Sequence, residues 1–200
     1  MRRAISWLAR AEQERDDPDA AFIFYWISFN ALYSIDRPAS YKYVERSAIR
    51  DYFQKIVSID IDDVLYDSVW EKFTGPIRVL LDNQYVFNPF WLSSDRERAD
   101  ADWRRQFNNK LSSIHRALGN RSRNTTVILN ELFDRLYVLR SQLIHGGATW
   151  QGRVNRSQVQ DGAAIMAFLV PHFINLMLDK PDDNWGIPAY ALGTKILPSV

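Results

Sequence analysis

The stretch that decides the fold class is Asp17-Pro18-Asp19-Ala20-Ala21-Phe22-Ile23-Phe24-Tyr25-Trp26-Ile27-Ser28-Phe29-Asn30-Ala31-Leu32-Tyr33. Asp17 can cap a helix, and Pro18 suits the first helical position, where its missing N–H costs nothing. From Ala20 onward the segment is apolar nearly all round. Such a helix belongs in the centre of a bundle rather than on its surface. The apolar run from Ala20 to Tyr33 is too short to span a bilayer and contains Asn30. A polar amide on such a helix needs partners or costs roughly 1–3 kcal/mol, so Asn30 reads as an internal pin.

Outward from this helix the periodicity stays helical. Arg3 to Arg15 is amphipathic, with Ile5, Leu8 and Ala11 or Glu12 on successive turns. Tyr41 to Val57 places Ile49, Phe53 and Ile56 or Val57 inward. Asp60 to Leu81 comes next, with a break expected near Gly75-Pro76, and Asn88-Pro89 marks a turn. Asp95 to Leu118 spaces Ala99, Trp103, Phe107, Leu111 and Ile114 by three or four. A helix capped by Asn124 or Thr125 runs from about Val127 to His145, stopped by Gly146-Gly147. The last opens at Asn155, with Gln158 in the capping-box position, and ends before Pro181. No repeat, linker or convincing strand alternation interrupts this. The expectation is one all-α domain over 1–200, a four-helix core with additional helices at about 5–180, and an irregular tail over 181–200.

Composition narrows the chemistry. Apolar residues make up 46% of the chain, enough for a large core, and cysteine is absent, which excludes a disulfide framework and a thiolate zinc site. A net charge of +1 leaves any nucleic-acid contact to a local patch. Met1-Arg2-Arg3 begins like a leader, but Arg10, Glu12 and Glu14 arrive before an adequate apolar stretch, and Pro171, His172 and Asn175 interrupt Ala163 to Leu178. A soluble, cytoplasmic protein is expected. No Walker loop, dinucleotide fingerprint or nucleophile elbow occurs, and neither a cofactor nor a metal is expected. Asp60-Ile61-Asp62-Asp63 reads as a solvated acidic helix start, and His115 and His172 as structural histidines.

The remaining candidate is Leu139-Arg140-Ser141-Gln142-Leu143-Ile144-His145-Gly146-Gly147. Ile128, Leu132, Leu136, Leu139 and Leu143 form one apolar stripe; Leu129, Phe133, Tyr137 and Ile144 form a second, with Arg140 inside it. A guanidinium among apolar neighbours must be paired or face an interface. The second stripe is either a dimer surface or cover for an internal ion pair. His145 is either a reactive imidazole or a plain C-terminal capping residue. A regular helix separates Arg140 from His145 by roughly 140°. They converge only if the helix unwinds at Ile144 or if a second subunit completes the site across a two-fold axis.

The segment Leu139 to Trp150 resembles the signature of HEPN domains, especially the Apea-like branch, with Arg140 and His145 on that family's Arg-x4–6-His motif. Phe24 to Tyr33 and the stretch from Asp161-Gly162-Ala163-Ala164-Ile165 onward are similar to the accompanying helices, so the likeness covers about Ile5 to Trp185. The resemblance implies a helical bundle that forms a homodimer with a composite cleft. In many members it implies metal-independent ribonuclease activity, often within toxin–antitoxin or phage-defence systems; other members only bind RNA or nucleotides. The residue after the motif arginine, commonly Asn, Asp or His in active members, is Ser141 here.

Under this reading His145 is the general acid or base for attack by an RNA 2′-hydroxyl, leaving a 2′,3′-cyclic phosphate, and Arg140 holds the scissile phosphate. Ser141 and Gln142 add hydrogen bonds, Arg153 and Arg156 steer the RNA backbone, and Trp150 stacks a base or packs. The expected partners are RNA, a second copy of the chain, and an antitoxin or nucleotidyltransferase. The alternatives are a non-catalytic RNA- or nucleotide-binding module and a structural, partner-binding protein with Arg140 in an internal salt bridge.

Overall fold

The structure is a computed structural model that describes residues 1–35, 45–92, 100–119, 124–153 and 155–189. Among these the chain is all helical: α1 (Arg2–Gln13), α2 (Pro18–Tyr33), α3 (Glu45–Ser58), α4 (Val64–Asp67), α5 (Thr74–Asp82), α6 (Asn88–Leu92), α7 (Asp100–Gly119), α8 (Thr125–Ile144) and α9 (Arg156–Asp179). Four of these helices meet in one aromatic knot. Phe29 of α2, Phe53 of α3, Phe133 of α8 and Phe173 of α9 are all buried. Their ring centroids stand 4.6 Å (Phe29–Phe133), 4.7 Å (Phe53–Phe133) and 5.9 Å (Phe29–Phe173) apart. Rings this large, Phe53 and Phe133 edge to face and the others tilted, fix the four helix axes relative to one another. The remaining helices pack around that core: α1 lies along α2, α5 leans on α8 and α9, and α7 touches α6 and α8.

The start of α2 is built as its residues require. Asp17 Oδ1 accepts from the N–H groups of Asp19 and Ala20, ahead of Pro18. Asn30 is only half-buried, not internal, and its Oδ1 accepts from Tyr33 Oη at 2.8 Å. Midway along α2 the fully buried Ser28 donates its hydroxyl to the Ala4 carbonyl and ties α1 down. Correspondingly α1 presents Ala4 and Ala11 inward, while Ile5 is exposed. Two small residues let the α1 and α2 backbones approach more closely than Ile5 permits.

The break expected near Gly75-Pro76 is present, centred on Phe73. Gly75-Pro76 itself lies in the first turn of α5, where the first four N–H groups have no intrahelical partner anyway. The interruption precedes it, in a widened π-helical turn over Ser68–Lys72 that ends at Phe73. Asn88-Pro89 likewise opens the short α6 rather than a bare turn. The expected helical positions 41–44 and 95–99 lie outside the described residues. Of the expected tail, 181–189 carries no helix but is fastened. Ile35 pairs with Pro188, the Ala189 N–H donates to Ser34, and Lys55 Nζ sits 3.9 Å over the Trp185 ring.

α9 is long and apolar enough to cross a membrane by length and composition. Here it is the packed partner of α2, burying Ile165, Met166, Leu169, Val170 and Phe173. Gly162 marks its closest crossing: a Cβ there would stand 3.1 Å from Leu136 Cδ2 and 3.2 Å from Phe22 Cε2. Asp60 caps the turn into α4, its carboxylate accepting from the N–H groups of Val64 and Leu65 and facing His172 Nε2 at 3.1 Å. Asp60 and His172 are therefore structural partners.

Candidate functional site

α8 carries the site, and its two apolar stripes meet different fates. The first is buried from Ile128 to Leu139. The second is split. Leu129 and Phe133 are consumed by the chain's own core, so the stripe is not an interface along its whole length. Its C-terminal half, Tyr137, Arg140 and Ile144, remains half-buried or exposed.

Arg140 is half-buried, with its guanidinium carbon 5.8 Å from the Tyr137 ring centroid and Nε covered without a hydrogen-bond partner among the described residues. No carboxylate pairs with it among the described residues. The helix stays regular through Ile144, and the N–H of His145 donates to the Ser141 carbonyl at 3.0 Å. The helical step therefore holds, and in one protomer the two side chains leave α8 roughly 140° apart.

The exposed His145 is the last residue before a Schellman ending. Gly146 takes φ +69°, its N–H donates to the Leu143 carbonyl, and the Gly147 N–H donates to the Gln142 carbonyl at 2.7 Å. Only glycine accepts that left-handed turn without strain, so Gly146 fixes where the imidazole emerges.

Beyond the turn, residues 147–153 are strapped back onto the start of α2. Trp150 Nε1 donates to Asp17 Oδ2 at 2.7 Å, and the Gln151 N–H donates to Asp19 Oδ2 at 3.1 Å. Arg156 Nη1 reaches the same Asp19 oxygen at 2.6 Å. Desolvation alone raises the pKa of the Asp17 carboxyl. The hydrogen bonds from Trp150, Ala20 and Asp19, with the charge of Arg156, outweigh this and hold it below its ordinary value.

The structure thus sorts the expected residues. Arg140, half-buried Ser141, His145 and exposed Arg153 have no side-chain hydrogen bond or ion pair that engages them among the described residues. Gln142 does: its Nε2 donates to the Tyr85 carbonyl at 2.7 Å and its Oε1 accepts from Asn155 Nδ2 at 2.8 Å. That contact also replaces the expected capping box, since Asn155, at φ +55°, does not cap α9 with its side chain. Arg156 is held by Asp19 and Trp150 by Asp17, both in holding roles.

A residue that sequence reasoning missed lies five positions before Arg140. Arg135 is buried, its guanidinium 4.5 Å over the Phe87 ring, with Nε and Nη2 lacking hydrogen-bond partners among the described residues. Burial pushes its pKa down, against the opposing pull of Glu131, Asp134 and Asp82. Its register was the available signal: Arg135 falls three residues after Leu132 and four before Leu139, on the buried side of α8.

No family model matches the chain, and no curated protein or solved structure matches it either.

Proposed function

We propose that the chain is an HEPN-type domain acting as a metal-independent endoribonuclease, with a composite site formed by Arg140 and His145 of two protomers. The observation that carries this reading is the state of Arg140, a half-buried guanidinium with no carboxylate partner among the described residues, on the same exposed helix end as His145. A structural salt bridge at Arg140, the bland alternative, has no partner among the described residues. Because the two side chains diverge around α8, they meet a common phosphate only across a two-fold axis.

In the cleft, His145 takes the proton of an RNA 2′-hydroxyl as that oxygen attacks the adjacent phosphorus. Arg140 stabilises the charge developing on the non-bridging oxygens. The P–O5′ bond breaks, and the 5′-oxygen takes a proton from the imidazolium of the partner's His145. The products are a 2′,3′-cyclic phosphate and a 5′-hydroxyl. In this reading exposed Arg153 attracts the RNA backbone and Ser141 hydrogen-bonds a phosphate oxygen. The setting expected for this activity is a cytoplasmic toxin–antitoxin or defence system.

The test is cleavage of end-labelled RNA in the presence of chelator. Arg140→Ala and His145→Ala should each abolish cleavage while leaving the melting temperature near wild type, since neither side chain is in the core. Chelator-sensitive cleavage, or cleavage retained in either variant, overturns the reading. Binding without cleavage would favour the non-catalytic module.

A further inference from the structure

Tyr137 stands between two guanidiniums: Arg46 of α3 at 5.7 Å from its ring centroid and Arg140 of α8 at 5.8 Å. Arg50 lies one turn of α3 beyond Arg46, so the two share a face of that helix. A depression between α3 and α8, lined by Arg46, Arg50, Asn130, Asp134 and Tyr137, has a volume of about 10 Å³. It admits a water molecule at most, so any larger ligand lies across its rim rather than inside it. Arg46 and Arg50 line it with one carboxylate, Asp134, and Arg140 does not line it but reaches the Tyr137 ring at its edge. Asp134 engages Arg46 at 3.4 Å, and exposed Arg50 has no carboxylate partner among the described residues.

We infer that Arg46 and Arg50, with Arg140, hold successive phosphates of a single-stranded RNA along this groove; the choice of RNA rests on the ribonuclease reading above. Planar guanidinium forks suit phosphate oxygens. Arg46 and Arg140 both rest against the Tyr137 ring, and Asp134 also holds Arg46, so little side-chain freedom is lost on binding. The overall charge of +1 gives the chain no general attraction for polyanions, which makes a local cluster of three arginines the stronger feature.

The test is a salt titration of binding to a fluorescent RNA oligonucleotide methylated at every 2′-oxygen, which cannot be cleaved. Removing one phosphate contact lowers the slope of log K against log salt by about 0.7 on a single strand. Arg50→Ala and Arg46→Ala should each show that loss, Arg50→Glu a larger one, and Arg2→Ala, on the exposed face of α1, none. Arg50 is exposed and has no ion pair among the described residues, so its variants keep the fold. An unchanged slope in Arg50→Ala, or no binding by the wild type, overturns the groove. Cleavage of unmodified RNA is scored in parallel. A slope effect without any cleavage sinks the ribonuclease reading and leaves the phosphate groove, whereas cleavage without a slope effect does the reverse.

Discussion

At the scale of single residues, α8 carries two arginines whose surroundings demand different chemistry. Arg140 reaches the surface over Tyr137, so its removal exposes little. Arg135 is sealed between α8 and the small cluster of Phe87, Trp103 and Phe107. A charge buried with unsatisfied nitrogens contributes less than an apolar side chain of the same reach, because desolvation offsets its attraction to Glu131, Asp134 and Asp82. Arg135→Met should therefore unfold at the same temperature as wild type or higher. Arg135→Ala should lose about 2–5 kcal/mol, the range for deleting a long buried side chain. Calorimetry on both variants checks this. A fall of several degrees in Arg135→Met would mean that the three carboxylates hold the guanidinium more tightly than burial penalises it.

At the scale of elements, the end of α8 and the strap behind it set the direction of His145. Gly146→Ala forces an L side chain into the left-handed region, at a cost of about 1–2 kcal/mol by urea unfolding. The strap responds to pH through Asp17. Its folded pKa is lowered, so its contribution is complete above the ordinary carboxylate range and disappears as pH falls through the lower folded value. The stability gap between wild type and Asp17→Asn should accordingly be constant near neutrality and close on acidification. A gap that persists unchanged at a pH of about 2, below the ordinary carboxylate range, would assign it to something other than the carboxylate charge.

The element scale also shows what the sequence made legible. The all-round apolar face of α2, the Asp17 cap and the Gly146-Gly147 stop are local signals, and each appears as read. Asp17 and Asp19 as anchors for Trp150 and Arg156 were not legible. Their partners lie more than 130 positions away, and no local pattern encodes a contact that only packing creates. The engagement of Gln142 by Tyr85 and Asn155, and the absence of a side-chain cap from Asn155, were not legible for the same reason: they are set by packing between separate segments. The second stripe of α8 misled because periodicity reports which face is apolar, not which neighbour covers it. Phe133 is buried against Phe53 of α3, whereas Tyr137, beside Trp26 and Arg46, is only half-buried.

For the whole molecule, the divergence of Arg140 and His145 turns a question about mechanism into one about stoichiometry. If one protomer sufficed, α8 would have to unwind before Ile144, yet its hydrogen bonds continue to the Schellman turn. On the proposed reading a second copy completes the pair, and the two single variants should complement each other. A heterodimer of Arg140→Ala with His145→Ala keeps one imidazole on the first protomer and one guanidinium on the second, the combination that can face a common phosphate. Co-expressed with different affinity tags and purified on both, it should cleave RNA, while each homodimer stays silent. Its rate should remain below wild type, since water must replace the missing imidazolium in protonating the 5′-oxygen. A doubly purified heterodimer that is inactive, beside a dimeric and active wild type, would place the working Arg140 and His145 on the same chain and require α8 to open at its end.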